Sequence, residues 1–367
     1  MGFMILMLTL LFVFTVGACV GSFLNVAIVR MPLEKSLLWP NSSCGNCLQA
    51  ISWFDNIPLI SYLWLRGRCR TCGESYSIGY FFVELATALG FVGLFWLEVI
   101  ADVHHWPCPD PMAVSMSVFP WRSWIGFGWH ALLFSFLMVA SVCDLRTREI
   151  PLSLTLTGTL IGLIGSTLLP WPWPHESATA GPPILMAGDM ASWQTPDNKL
   201  LHGVYCWPFW GPLPAWADGG GNWQTGLATG VCGALIGTFL VRAIGFLFGK
   251  GLGKEALGLG DADLMMMAGS FLGWQIIIVA FFLSVFPALL FGIVLLIVKR
   301  DNSLPFGPSL SLSVLATCLA WHAIGEHIRP AFFWLELMVA TSLVIGGMMF
   351  VISFALRLIR GGGAGIQ

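Results

Sequence analysis

Residues 258–274 read GLGDADLMMMAGSFLGW and set two aspartates, Asp261 and Asp263, at the mouth of a run apolar enough to enter a membrane. This stretch decides the fold, because the alternation of charge along the rest of the chain closes only if the short run crosses the bilayer. Of 367 residues, 57% are hydrophobic and 10% charged, and the mean hydropathy is +0.81; a soluble domain carries roughly a quarter charged residues. The composition is that of an integral membrane protein, embedded in a lipid bilayer. A net charge of -2 supplies no concentrated basic face, so no nucleic-acid partner is expected.

Apolar runs near the length of about 20 residues that spans a bilayer occur at 3–29, 79–101, 127–143, 152–169, 226–248, 275–298, 308–325 and 332–356. With the shorter run 262–273 they predict an all-α polytopic membrane protein of about eight to nine transmembrane helices. Basic residues cluster in alternate loops: Arg30, Lys35, Arg66, Arg68 and Arg70; Arg146 and Arg148; Lys250 and Lys254; Lys299 and Arg300; Arg357 and Arg360. The positive-inside rule makes these loops cytoplasmic. The loops 102–126, 170–225 and 326–331 hold only Arg122, Lys199 and Arg329, and so face outward. Lys250 and Lys299 both belong inside, which requires 262–273 to count as a crossing. The first run, despite a lipobox-like VGAC at 16–19, lacks a basic leader and is long enough to span; it reads as a retained helix with its amino end outside. Glycines four apart (158/162, 226/230, 233/237 and 269/273) suit backbone-to-backbone helix packing.

The first cytoplasmic loop contains CGNC at 44–47 and CRTC at 69–72, separated by 21 residues. Two such pairs place Cys44, Cys47, Cys69 and Cys72 within tetrahedral reach of one zinc ion. Two disulfides or free thiols are the alternatives, and a reducing cytoplasm disfavours the disulfides. A loop this small has little apolar core, so a metal cross-link is the expected means of ordering it, without chemistry of its own. Cys108 and Cys206 lie in outward loops where they could pair, while Cys19, Cys232 and Cys318 read as small core residues.

Asp144, in VCDLRTREIP at 142–151, ends one apolar helix on the cytoplasmic side, and Asp261, preceded by Gly258 and Gly260, opens another on the same side. A carboxylate at membrane depth costs about 2.5–3.5 kcal/mol unless paired or wetted, which makes it a functional candidate. If the two share a water, repulsion separates their ionisations into one acid and one base, able to activate that water and protonate a leaving amine. The glycines let a peptide backbone approach. Asp263 stands about 200° around the helix from Asp261 and so faces elsewhere. The competing reading makes Asp144 an interfacial charge beside Arg146 or Arg148, and Asp261 a helix N-cap.

Together these segments resemble the type IV prepilin peptidases, bacterial inner-membrane aspartic proteases that also methylate their product. The likeness rests on GSFLNVAIVRMP at 21–32, CGNC with DNIPLISYLWLRGRCRTCG at 44–73, DLRTREIP, GLGD and PFGPSLSLS at 305–313, in the family's order. It implies that Asp144 and Asp261 are the catalytic pair of a multi-pass inner-membrane enzyme whose site faces the cytoplasm. The implied substrates are prepilins or pseudopilins, with a short basic leader before a hydrophobic helix, cut after a glycine. The implied second activity is methylation of the new amino terminus from S-adenosylmethionine, associated with the cysteine domain. The organisation then reads as a first transmembrane helix over 1–29, a cytoplasmic four-cysteine domain over 30–78, two transmembrane helices over 79–143, a peptidase membrane core over 144–325, and an added carboxyl-terminal helix and tail over 326–367.

Three features depart from the family: Asp263 where members usually have lysine, a long outward Trp- and Pro-rich loop at 170–225, and the added helix at 332–356. A zinc-ordered scaffold for a pilus or secretion assembly is the rival reading. A proton-relay transporter would need its acids at mid-membrane depth, and a zinc protease would need the absent HExxH motif. His104, His105, His130, His175, His202, His322 and His327 read as ordinary surface or interface residues.

Overall fold

The computed structural model describes residues 2–37, 39, 41–104, 121–169, 223–252, 258–298, 305–332, 339–348 and 350–351. The chain divides into two compact units, Met1–Leu154 and Thr155–Gln367. Every helix and strand assignment among the described residues is helical apart from two isolated β-bridges, as the all-α polytopic membrane reading requires. Among the described residues, five helices are long and apolar enough to cross a membrane: Phe3–Leu33, Gly79–Ile100, Ser123–Thr147, Gly226–Lys250 and Trp274–Leu295. Leu152–Leu168, Gly307–Trp321 and Val339–Met348 are shorter apolar helices. Residues 170–222, with Cys108, Cys206, Lys254, Lys299, Arg300, Arg357 and Arg360, lie outside the described residues.

The first unit is built from α1 (Gly2–Arg30), the short α2 (Ile60–Leu65), α3 (Gly79–Phe95) and α4 (Trp121–Thr147). Helices α1 and α3 approach closely because Gly17 and Gly21 have no side chains: a β-carbon on either would lie 2.8 Å from the Cα of Ala88 or Glu84. Aromatic rings fasten α3 to α4, with Phe91 edge-on to Phe127 at 6.1 Å and Phe95 tilted against Trp124 at 4.9 Å. Cys143 on α4 donates its S–H toward Ile28 O of α1 at 3.8 Å, and Arg146 Nη2 stands 3.0 Å from where a β-carbon of Gly79 would be. The end of α1, the start of α3 and the end of α4 therefore share one side, and the cysteine loop 31–78 emerges there.

The second unit is built from α5 (Leu152–Leu168, which begins at its border), α6 (Trp223–Leu252), α7 (Leu259–Leu272), α8 (Trp274–Leu283), α9 (Val285–Val298) and α10 (Gly307–Phe332). Its centre is the α6–α7 contact, where Gly233 and Gly269 meet backbone to backbone and Gly237 lies against Met265 O. Gly162 of α5 seats Ser270 in the same way, and Ser166 Oγ donates to Ser270 O at 2.5 Å. The four-residue glycine spacing is thus realised as helix packing. Helix α7 is almost wholly buried, which is why it can be short: protein, not lipid, surrounds it.

The run 275–298 forms one membrane-length apolar helix, Trp274–Leu295, with a one-residue irregularity at Ser284 between α8 and α9. Pro287 lacks an N–H and its ring crowds the carbonyl four residues back, at Leu283. Ser284 stays helical across the irregularity, donating its N–H to Ala280 O at 2.9 Å and its hydroxyl to Phe281 O at 2.6 Å, and accepting the Ala288 N–H at 3.0 Å. Beyond it, Phe286, Leu289, Leu290, Ile293 and Ile297 form an exposed stripe suited to lipid. Cys318 is buried as expected, whereas Cys19 is exposed on α1, corrected from a core position because it lies off the glycine face that meets α3.

One chemical change made at two glycines tests this packing. Gly93, with nothing within 4 Å of a built β-carbon, should accept alanine with a gain of up to about 1 kcal/mol. Gly233→Ala should cost about 1–3 kcal/mol by forcing α6 from α7. Thermal unfolding in detergent reads both.

Candidate functional site

The cysteine loop forms two knuckles with the same hydrogen bonds. In the first, Cys44 N–H donates to Gln49 O and Leu48 N–H to Cys44 O, both at 3.0 Å; in the second, Cys69 N–H donates to Glu74 O at 2.8 Å and Gly73 N–H to Cys69 O at 2.9 Å. Antiparallel bridges Ser43–Ala50 and Arg68–Ser75 close the two hairpins. The residue four beyond each leading cysteine is left-handed, Leu48 at φ 57° and Gly73 at φ 72°. The knuckles bring Cys44, Cys47, Cys69 and Cys72 together with all four sulfurs within 4.8 Å of one another. Cys44 and Cys72 Sγ are 3.7 Å apart, against about 3.8 Å between thiolates of a tetrahedral zinc site and about 2.05 Å in a disulfide. The four are free thiols and fit a soft divalent ion.

The backbone prepares these thiols unequally. N–H groups of Cys72 and Thr71 directed at Cys69 hold its thiol down to about 6, and those of Cys47 and Asn46 lower Cys44. Cys47 receives a lowering contact from the Gln49 N–H, but partial desolvation and the sulfurs of Cys72, Cys44 and Cys69 push it up to about 11. Arg70 braces the second knuckle against the turn Trp53–Asn56, donating Nη2–H to Asp55 Oδ1 at 2.6 Å and Nε–H to Oδ2 at 2.8 Å. Those bonds hold the Asp55 carboxyl below its usual range.

The two aspartates singled out in the sequence belong to different units. Asp144 sits one turn before the end of α4, on the side from which the cysteine loop emerges, and is 7% exposed. Asp261 occupies the first turn of α7 and is 9% exposed. The N-cap of α7 is Gly258, so the reading of Asp261 as the cap is set aside. The Asp261 carboxylate folds back instead, leaving Oδ2 3.6 Å from where a β-carbon of Gly258 would be. There the partial positive charge of the helix start favours an anion. Gly260 lies between them within the helix. Asp263 faces α6, where Arg242 Nη2 approaches its Oδ1 at 3.5 Å.

Two carboxylates inside 79–101 escaped the sequence reading, although an ionisable residue within an apolar run was the available signal. Glu84 Oε2 accepts the Leu59 N–H at 2.8 Å, tying the cysteine loop to α3. Glu98 is 1% exposed and bonds His130 Nδ1 at 2.7 Å. The reading of His130 and His104 as ordinary surface or interface residues is therefore corrected: both imidazoles turn inward because a buried acid needs them.

What folds here is a multi-pass helical membrane protein with a metal-type four-cysteine insertion after its first span and a buried aspartate opening a glycine-packed helix. The chain belongs to the prepilin leader peptidase/N-methyltransferase family. Residues 15–97 match the family described as Bacterial Peptidase A24 N-terminal domain, and residues 200–293 match the Type IV leader peptidase family. The chain is 31% identical over 327 residues to "Prepilin leader peptidase/N-methyltransferase" of Pectobacterium carotovorum, covering 81% of this chain and 88% of that one. It is 28% identical to the protein of that name from Myxococcus xanthus, over 78% of this chain and 63% of the other. It is also 28% identical to "Type 4 prepilin-like proteins leader peptide-processing enzyme" of Escherichia coli O78:H11, over 82% and 90%. No solved structure matches. The matched regions include the four cysteines and Asp261; Asp144 lies between them.

Metal uptake by the stripped loop at pH 7 should release protons, since Cys47 must surrender its own. Affinity should fall as acid protonates the ligands, Cys69 last among those with a stated value, near 6. Proton release in weak buffer measures the first, and metal retention against pH the second. Leu48→Gly should preserve or tighten binding, because a 77% exposed side chain is lost while left-handed strain of about 1 kcal/mol is relieved.

Proposed function

We infer that Asp144 and Asp261 carry out the peptidase reaction of a prepilin-processing enzyme. The enzyme removes the leader from type IV prepilins or pseudopilins and N-methylates the exposed terminus. The family membership carries this reading, supported by two acids held at helix ends, one of them beside glycines on which a substrate backbone can lie. In the proposed step one carboxylate takes a proton from water as the oxygen attacks the carbonyl carbon of the leader's last glycine. The protonated partner then gives its proton to the departing amide nitrogen, and the C–N bond breaks. Substrate recognition combines a short basic leader with a hydrophobic helix that stays in lipid.

In this reading the protein lies in the bacterial inner membrane with Asp144, Asp261 and the cysteine loop facing the cytoplasm, in keeping with the arginines and lysines of those loops. The four cysteines hold zinc, which orders the loop and leaves no open coordination position for chemistry. S-adenosylmethionine supplies the methyl group to the new amine. Gly258 and Gly260 serve substrate approach. Asp263 has a separate role: its pairing with Arg242 gives this helix a cation from α6 at the place where relatives usually carry a lysine on α7.

Asp144→Asn and Asp261→Asn, reconstituted with a prepilin, should each lower the cleavage rate at least about a hundredfold, the lower range for general acid–base groups, with unchanged thermal unfolding. Full cleavage by either variant would defeat the assignment and restore the scaffold reading. Cys44→Ser or Cys72→Ser should instead release the metal and disturb the loop, read by metal content and by methyl transfer to a pre-cleaved pilin.

A further inference from the structure

A second cluster of ligand-type side chains lies in the first unit, far from the cysteines. Glu98 is 19 residues into a helix that starts beside the cysteine loop, about 28 Å along its axis. The helix changes there from α to π over Trp96–Ile100, with Ala101 N–H donating to Trp96 O at 2.8 Å. Such π turns often mark functional positions, because the inserted residue re-aims its neighbours. Two residues after the turn ends, Asp102 adopts a left-handed φ of 48°, folding the chain so that His104 comes over Glu98. His130 reaches the same carboxylate from α4.

The geometry suits a cation. Glu98 Oε1 is 3.6 Å from His104 Nε2 and 2.7 Å from His130 Nδ1. Nitrogen and oxygen ligands around a tetrahedral ion with bonds of about 2.0–2.1 Å stand about 3.3–3.4 Å apart. A small turn of the carboxylate converts the present spacing into that one. The rings, tilted at 54° with centroids 5.4 Å apart, converge instead of stacking. Glu98 Oε2 is fully buried without a hydrogen-bond partner among the described residues. A buried carboxylate oxygen in that condition is costly, and a bound ion would answer it.

We propose that Glu98, His104 and His130 form a binding site for a borderline divalent transition-metal ion of the zinc, cobalt or copper class, separate from the four-cysteine site. Two imidazoles and a carboxylate select such ions over magnesium or calcium. Three protein ligands leave a coordination position for water or a further group. By placement at the far end of α3 from the cysteine loop, the ion pins that end of the helix to α4.

Cobalt(II) titration of the full-length, tag-free, metal-stripped protein in detergent tests this. The first equivalent should produce the sulfur-to-cobalt charge-transfer band of the cysteine site. A second should bind with weaker d–d absorption and no gain in the thiolate band. Glu98→Gln and His104→Ala should each lose the second equivalent and keep the first. The Cys44→Ser/Cys72→Ser protein should keep the equivalent that lacks charge transfer. The chelator-induced fall in melting temperature that remains in the cysteine variant should vanish when Glu98→Gln is added. His104→Ala, at the edge of the cluster, preserves the test should Glu98→Gln fail to fold. A single equivalent in the native protein, or a second that survives both substitutions, would overturn the site and leave Glu98 and His130 as a buried structural pair.

Discussion

Lipid offers a polar group no hydrogen bond, and this protein is organised by that refusal. Three acids within apolar helices have counterparts supplied by the chain: Glu84 the N–H of Leu59, Glu98 the ring of His130, Asp263 the guanidinium of Arg242. Asn25 likewise donates to Tyr80 O at 3.0 Å. These bonds are few, but each links segments distant in sequence, because an acid in hydrocarbon cannot settle for water. Leu59 is held at a left-handed φ of 63° while its N–H meets Glu84. The cysteine loop is therefore fastened at its middle as well as at its ends.

The helices and the cysteine site were legible because their signals are local. Runs of apolar residues give length, glycines four apart give close approach, and two CxxC pairs give one metal-type cluster. The irregularity at Ser284 was also written in the chain, in Pro287, within a run whose hydrophobicity is unbroken. Glu98 was harder to see. A single acid near the end of a span looks like an interfacial charge until the fold brings His130 from a different helix. Its importance is a matter of tertiary neighbours, as is the pairing of Asp263 with Arg242, 21 residues earlier in the chain.

Asp144 illustrates the opposite limit. Its sequence context placed it at the end of a helix, and α4 does end one turn later. Its assignment as a catalytic acid nevertheless comes from resemblance and chemistry, since periodicity alone does not distinguish a reactive carboxylate from an interfacial one. The two knuckles show how local rules and metal chemistry combine. The same backbone turn is built once with Gly73 and once with Leu48, so the demand for a left-handed residue was visible in only one of the two sequences.

The backbone contact between α6 and α7 bears on accuracy of placement. Gly237 rests on Met265 O, one turn beyond Asp261, with no side chain between the helices to compress or rotate. The carboxylate thus inherits its coordinates from a neighbouring helix axis and has little tolerance of its own. An ångström of misplacement from a distant change can cost a reaction about a hundredfold. On the proposed assignment of Asp261 to the peptidase reaction, its precision is held by residues that contribute no functional group whatever, and drift at those silent positions would blunt the reaction while every reactive atom remained in the sequence.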